Sequence, residues 1–596
     1  MLSVLTFGRS REGSKRAVGS DLAMRQVLAV KPTKRLPTIK QWLQLPRFLS
    51  GAERRLALFG IILVLAGSGA LGYQYLSKHA ERVPRVGGEY TEGVIGYPRY
   101  INPLYANASD VDSALSRLVY TGLMRFDPQE GLVPDLAESY QISTDEKEYT
   151  FVLREGLKWH DNDPITSEDV VFTVHAIQDP GFSSSLASTL SGIGVEAVDD
   201  RTVKFVLTEP FAPFLTTMTM GILPAHIWQN IPAANAQLTQ INLKPIGSGP
   251  YVFEKLEKDN KGNLRSMNFV RNPDFYRSSP YISRLTFKFF IDTNELTQAL
   301  RNHNIEGAAT VPYEEIPKFS DDRSFNVIRP SVREYMAALF NLKASGAVSE
   351  LKVRQALTLA TDRQALVNVT QAGQATPITG PLVAGVPGYD SSAQIPGADL
   401  SAAGALLDAA GWIIPEAGGT RAKDGKNLNV PITVLDTPEL LIVAEELRRQ
   451  WELAGVAVNI IPVSPMSLQK DVLKTRTFDV LVSGELYGLF PDPYPFWHSS
   501  QVPDPGLNVS QLVNKTVDES ISIIRTTADQ TARANAFIKF AEAIAETAPA
   551  VFLYQPTYAY ALPNTIQNVS IPAIVTPADR FADVNEWYLK TKAKFK

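Results

Sequence analysis

Within the thirteen positions from Glu485 to Trp497 the chain places two acids, Glu485 and Asp492, among five aromatic residues: Tyr487, Phe490, Tyr494, Phe496 and Trp497. Carboxylates set among ring faces suit the holding of a ligand, because the rings supply apolar walls and the acids supply charge and hydrogen-bond acceptors. The stretch follows FDVLVSG (478–484), which reads as a strand, and open sheets bind ligands just beyond the carboxyl ends of such strands. Asp492 also has a plainer reading. It stands between Pro491 and Pro493, where an aspartate shapes a turn.

The other reactive residues form no catalytic signature. The chain has no cysteine, which excludes disulfides, thiolate catalysis, Cys-ligated zinc, iron–sulfur clusters and Cys-linked lipid anchors. Its histidines (His79, His160, His175, His226, His303 and His498) stand at no metal-ligand spacing, so neither a metal nor a cofactor is expected. Ser349…Lys352 and Ser467…Lys470 match S-x-x-K, but Lys474-Thr475 is followed by Arg476, and the companion motifs of that machinery are not evident. There is no G-x-S-x-G and no H-E-x-x-H. Gly425-Lys426 is followed by Asn427, so it is not a Walker loop, and Gly247-Ser248-Gly249-Pro250 reads as a tight turn, with Val252 where a dinucleotide loop needs its third glycine. Trp159-His160-Asp161 reads as a turn after a strand, and Asp362-Arg363 as a helix cap or a local ion pair.

The elements that carry these residues divide into two halves. In the first, strands are scattered among helices: a strand followed by a Pro/Asn-rich loop over 87–107, a helix within 113–127 with Leu115, Leu118, Val119 and Leu123 at helical spacing, and an alternating strand over Tyr149, Phe151 and Leu153. A helix with a capping-box start at Thr166 and Asp169 follows, and 251–272 reads as a β-hairpin around Asn260-Lys261-Gly262. This is an α+β layout. In the second half, one long helix is expected over 349–373. Next come the strand VPITVLD (430–436), a helix from Thr437-Pro438 to Gly455, the strand VAVNIIPV, a short helix MSLQKDVLKT and the strand FDVLVSG. That order is a βαβαβ unit with a parallel sheet. Two further helices (516–526 and 529–547) lead to the strand AVFLYQ. The expected fold class is therefore α/β, with one α+β lobe and one α/β lobe around a cleft.

At about 150 residues per domain, 596 residues make three or four folding units. The formal charge of −4 hides an asymmetry: residues 1–55 carry twelve Lys/Arg against three acids, or +9, leaving −13 for residues 56–596. An acidic body argues against nucleic-acid binding. Leu56 to Ser77 is a 22-residue run without a charge, about 33 Å as a helix and enough for a ~30 Å hydrocarbon core. The basic flank puts residues 1–55 in the cytoplasm by the positive-inside rule, with the main body extracytoplasmic. Cleavage at Ser68-Gly69-Ala70 is the competing reading, which the preceding 55 residues and the long apolar run disfavour. The segment TIKQWLQLPRFL (37–48) suits either an interfacial stretch or a solvated basic linker.

Several segments, in order, resemble the bacterial extracellular solute-binding proteins of ABC transporters, family 5, the oligopeptide/dipeptide/nickel group. They are GGEYTEG with INPLYA (87–106), LVPDLAESYQISTDEKEYTFVLREGLKWHDNDPITSEDVVFT (132–173), GSGPYVF (247–253), RNPDFY (271–276), LKVRQALTLATDR (351–363), LLDAAGW (406–412) and FPDPYPFWHSS (490–500). The resemblance implies a two-lobed binding protein that closes about a hinge, with residues 86–332 and 553–596 as lobe 1 and 333–552 as lobe 2. It places the hinge crossings near 327–341 and 551–561. It implies a peptide ligand, an ABC permease and ATPase complex as partner, and a monomer; the family's usual lipid-bearing cysteine is missing, so the helix 56–77 is expected to hold the protein at the membrane. It makes Asp492 the first candidate, and Glu485 the second, for pairing with the ligand's α-ammonium, with Tyr487, Phe490, Tyr494 and Trp497 as walls. The loop 373–396, one place to look for a cation for the ligand carboxylate, has no Lys, Arg or His. Longer peptides held by backbone hydrogen bonds remain compatible, while a nickel chelate finds little support in the histidines. The alternatives are an extracytoplasmic hydrolase or penicillin-binding-like enzyme, and a degenerate binding protein acting as a sensor or chaperone.

Overall fold

The computed structural model describes residues 49–127, 131–415, 419–527, 529–571 and 573–595. Most of the basic tail, including the segment 37–48, therefore lies outside the described residues. The chain forms two units, residues 1–82 with 593–596, and residues 83–592.

The first unit holds helix α1, Gly51–His79. Ser50 and Glu53 begin it as a capping box: the Ser50 backbone N–H donates to the Glu53 carboxylate at 2.8 Å, and the Glu53 N–H returns to Ser50 Oγ at 3.5 Å. The helix thus starts a turn before the uncharged run. Its Gly51–Gly72 portion is long and apolar enough to cross a membrane by length and composition, and none of it is buried among the described residues.

In the second unit, seven strands make one sheet and six make another. The first contains β1 (Glu89–Ile95), β2 (Tyr251–Lys258), β3 (Leu264–Arg271), β4 (Arg284–Phe290), β5 (Gly307–Ala308) and β6 (Phe325–Ile328). The second contains β7 (Glu334–Phe340), β8 (Thr376–Pro377), β9 (Ile432–Leu435), β10 (Ile460–Val463), β11 (Val480–Leu486) and β12 (Ala550–Gln555), after which β13 (Tyr560–Pro563) returns to the first. Spatial order is β6-β13-β5-β1-β4-β3-β2 in one and β8-β12-β7-β11-β9-β10 in the other. The chain passes between the sheets twice, after Ile328 and after Gln555. A separate four-stranded antiparallel sheet joins Ala137–Ile142, Glu148–Leu153, Thr202–Val206 and Gly194–Asp199.

The strand–helix–strand pattern is realised in the second sheet, where β9 pairs in parallel with both β10 and β11. Pro438–Leu453 is the first crossover helix, with Pro438 in its first turn. Alternation along β7 serves two cores at once: Tyr335, Ala337 and Leu339 enter one, Ala338 and Phe340 the other. The expected single helix over 349–373 is two helices, Leu351–Leu359 and Arg363–Thr370. The break has a cause. The Asp362 side chain accepts from Ala365 N–H at 2.9 Å and caps the second helix, while the Gln450 side chain takes the Asp362 N–H at 2.7 Å. Arg363 turns inward and donates to the Phe552 carbonyl at 2.8 Å.

The first sheet is closed by residues far apart in sequence. Arg580 donates through Nη2 (2.6 Å) and Nε (3.1 Å) to Glu92 Oε1 on β1, and both side chains are only 1% exposed. The Tyr90 and Tyr560 hydroxyls donate to Glu92 Oε2 at 2.9 and 2.5 Å. Burial opposes the Arg580 charge, but the Glu92 carboxylate outweighs it and leaves the guanidinium pKa raised. Removing one partner of such a pair strands a charge in the interior. Arg580→Met should therefore lower stability by about 3–5 kcal/mol, measured as a lower urea midpoint. Adding Glu92→Gln, which removes the stranded charge and keeps an acceptor for the tyrosines, should restore part of that loss.

Candidate functional site

Helix α2, Asp110–Val119, is amphipathic in a way that sets up a cavity wall. Val111, Leu115, Leu118 and Val119 go into the core. Ser113, Ser116, Arg117 and Tyr120 recur at i, i+3, i+4 and i+7, and all four line a cavity of about 390 Å³. The lining also includes Gly488 and Leu489, which follow β11, and Asp579. The cavity thus opens where the loop beyond a parallel strand meets the first half of the chain.

Arg117 Nη2 donates to Asp579 Oδ1 at 2.5 Å. The other Asp579 oxygen accepts from the backbone N–H groups of Val575 and Thr576 at 3.0 and 2.9 Å, as a capping box holding the turn Pro577–Phe581. Behind this wall Arg333, in the crossing from β6 to β7, donates to the Leu489 carbonyl at 2.9 Å and lies 5.3 Å over the Phe126 ring. The Tyr120 hydroxyl is buried and finds no partner among the described residues.

None of the six residues singled out from sequence is among the described residues that line this cavity. Glu485 is 5% exposed. It accepts from the Tyr335 hydroxyl and from Trp497 Nε1, the latter at 3.1 Å. Burial holds its pKa well above the usual carboxylate range against the Trp497 hydrogen bond. Tyr487 and Trp497 are core residues, 1% exposed each, and Tyr494 bonds Ser500 Oγ at 2.9 Å. Phe490 is half-buried, with Arg533 5.4 Å from its ring centre. Asp492 shapes a turn, accepting from the Tyr494 N–H at 3.0 Å, and is also paired with Arg525 at 3.2 Å. Arg525 is itself held over Tyr494 (4.1 Å) and Phe211 (5.3 Å), and its carbonyl accepts from Ala212 N–H at 2.9 Å. Burial raises the Asp492 pKa, while Arg525 and the Tyr494 N–H oppose that rise.

Reasoning from sequence missed Arg117, Tyr120 and Asp579. The local signal is the polar face of α2, opposite its apolar stripe. No spacing rule connects Arg117 with Asp579, since they lie 462 positions apart.

The turns read as structural support this wall. Asn162 adopts the left-handed conformation with φ 76°, and Trp159 N–H donates to the Asp163 carbonyl at 2.8 Å. The His160 ring lies between the carbonyl of Gly249 (Nε2, 3.0 Å) and the N–H of Gly247 (Nδ1, 3.3 Å), which requires the neutral Nε2–H tautomer. A Cβ on Gly247 would stand 2.0 Å from the Val119 carbonyl oxygen, so only glycine lets this turn close on the end of α2. His226 reaches back to Asp161 (2.9 Å) and Asp163 (3.4 Å), an exposed pairing that sequence spacing did not suggest. Among the described residues lining the cavity there is no histidine.

The model of the bacterial extracellular solute-binding proteins, family 5, matches residues 131–506, well over half of the chain. This protein belongs to that family. It is 26% identical over 548 residues to the oligopeptide-binding protein AppA of Bacillus subtilis, covering 89% of this chain and 96% of AppA. It is 30% identical over 491 residues to a Brucella ovis protein named for ABC-transporter peptide binding, covering 78% of this chain and 88% of that one. Among solved structures, Bacillus subtilis AppA with a nonapeptide superposes with a TM-score of 0.67 at 26% identity, over 85% of this chain and 100% of that chain. NikZ from Campylobacter jejuni with Ni(L-His) gives 0.68 at 28%, over 84% and 99%. CtaP from Listeria monocytogenes gives 0.73 at 27%, over 85% and 100%. The fold is the two-lobed α/β fold of these proteins, and the family is one of binding proteins, not enzymes.

His160 makes the wall sensitive to acid. Burial lowers its pKa from 6.5 to about 4, against the Gly249 hydrogen bond and the Asp161 charge. A depressed histidine pKa means the unfolded chain binds the proton more tightly. Stability is therefore full above pH 6.5 and lost as pH falls toward 4. At about 1.36 kcal/mol per pH unit the interval from 6.5 to about 4 is worth about 3 kcal/mol, less in practice because the ring keeps some solvent contact. Thermal melts from pH 7 to pH 4 should show this fall, and His160→Gln should flatten it.

Proposed function

We propose that this protein captures a peptide outside the cytoplasmic membrane and delivers it to the permease of an ABC transporter. The observation that carries the reading is the cavity at the carboxyl end of β11, in a member of a solute-binding family whose matched relatives include several named for peptide binding. Residues 86–332 with 553–596 act as one lobe and 333–552 as the other, and the two crossings, 329–333 and 556–559, act as the hinge. Ligand favours the closed arrangement through contacts made only there.

Asp492 serves as the ammonium anchor by exchanging Arg525 for the ligand's cation. The exchange is open to a ligand because both side chains keep some solvent contact, at 28% and 22% exposure. With full-length protein in detergent, native mass spectrometry should find co-purifying or added peptides, and scattering should show compaction. Asp492→Asn should weaken peptides with a free amino terminus more than a hundredfold, since losing half of a desolvated pair costs about 3–5 kcal/mol, and should spare N-acetylated ones. If no peptide binds or compacts the protein, the ligand class is wrong. If both peptide types weaken alike, Asp492 is only a turn-former.

Helix α1 holds the protein at the membrane near its permease, with residues 1–55 cytoplasmic, in a chain without a cysteine for acylation. The receptor works as a monomer. Membrane fractions should contain protein that retains residues 1–55, as read by N-terminal sequencing. A mature N terminus near residue 71 would overturn the anchor.

A further inference from the structure

We propose that Asp161, Asp163 and His226 hold a divalent cation of the zinc class, a resident ion that ties the 161–163 turn to the short helix Ala225–Trp228. None of the three lines the 390 Å³ cavity, so the ion is separate from any captured solute, and the inference stands apart from the peptide-capture reading.

Two elements deliver the ligand atoms. Asp161 and Asp163 flank Asn162, whose left-handed backbone (φ 76°) and the Trp159 N–H bond to the Asp163 carbonyl at 2.8 Å close the turn. His226 sits on Ala225–Trp228, which Trp228 anchors in the core at 1% exposure. Asp169 holds the start of that helix from its neighbour. One Asp169 oxygen accepts from Thr166 N–H at 2.9 Å and the other from Ala225 N–H at 2.8 Å. The imidazole is therefore positioned by contacts that do not involve an ion. One ligand atom from each of the three side chains lies within 4.8 Å of the others. His226 Nε2 stands 2.9 Å from Asp161 Oδ2 and 3.4 Å from Asp163 Oδ2. Ligand atoms at about 2.0–2.1 Å from a tetrahedral zinc are about 3.3–3.4 Å apart, close to the spacing the ring nitrogen already has.

The plainer reading is an exposed ion pair in which His226 donates to Asp161. It leaves Asp163 unexplained. A single Nε2–H serves Asp161, the contact with Asp163 makes no hydrogen bond, and among the described residues the Asp163 carboxylate accepts from no other donor. Neither aspartate pairs with a Lys or Arg among the described residues. Two carboxylates converging on one imidazole nitrogen leave negative charge in excess, and a dication between them serves all three groups. Two carboxylate oxygens with one imidazole nitrogen suit zinc, with water in the fourth position, because the side chains keep 32%, 59% and 32% exposure. Calcium and magnesium ask for six or more oxygens and find two.

The test titrates ZnCl2 into full-length protein in detergent, stripped beforehand with EDTA, by isothermal calorimetry. One Zn2+ should bind per chain, more tightly than Mg2+ or Ca2+, and should raise the melting temperature by a few degrees. Asp163→Asn and His226→Gln should each weaken zinc binding by at least the about 10- to 100-fold that losing a supporting contact costs a metal site. Asp163→Asn is the sharper variant, because its carboxylate accepts no hydrogen bond, and its metal-free melting temperature should match wild type. His175→Gln, at an exposed histidine elsewhere, should bind zinc as wild type does. The absence of a saturable one-ion zinc isotherm overturns the assignment. So does undiminished binding by Asp163→Asn and His226→Gln, which puts the ion elsewhere. Calcium binding that matches zinc and survives His226→Gln overturns it too, because the nitrogen then has no part in the site.

Discussion

The buried pair between Arg580 and Glu92 is the interaction on which the first sheet and the cavity wall both depend. Glu92 lies on β1, which pairs in parallel with β4 on one side and β5 on the other, and Arg580 arrives from the far end of the chain. A guanidinium so buried is tolerable only with a carboxylate and further acceptors in place. Glu92 meets that need for Arg580 and also takes the Tyr90 and Tyr560 hydroxyls. The consequence is positional. Pinning Arg580 fixes the short turn Pro577–Phe581, and the preceding residue, Asp579, is thereby presented to Arg117. One interior ion pair and one cavity-lining ion pair sit on adjacent residues.

A second set of contacts fixes the other side of α2. The Gly247–Gly249 turn abuts the carbonyls of Leu118 and Val119, His160 bonds both glycines, and Thr121 and Ser248 share a hydrogen bond at 2.6 Å. The helix end is thus held from the sheet side by packing and from the C-terminal side by charge. Arg117 and Tyr120 therefore extend from a segment with little freedom.

On the β11 side the physics is different. Glu485, Tyr335 and Trp497 satisfy one another inside a core, and Asp492 has Arg525 as an internal cation. Acids that looked like ligand groups are therefore already partnered, one by hydrogen bonds in a dry interior and one by a partly buried ion pair whose Arg525 reaches Phe211 of the first half. The loop between them reaches the cavity with the backbone-rich pair Gly488 and Leu489.

Much of this was legible in the residues themselves. Period-two and helical spacings are local properties, so the β9–β11 unit, the 251–271 hairpin, the capped helix at Thr166 and the apolar run ahead of residue 78 could be read directly. The ordered motifs were enough to suggest the family. The helix break at Asp362 was not legible, because Gln450 and Trp451, far along the chain, stabilise the cap against continued helix. Nor was the cavity. Whether a carboxylate faces a ligand or a protein cation depends on which side chain arrives beside it, and Arg525 reaches Asp492, as Asp579 reaches Arg117, only through folding. Composition and spacing determined which elements exist. Tertiary structure alone decided which charges are spent on one another and which stay available, because pairing is set by distance in space and not along the chain.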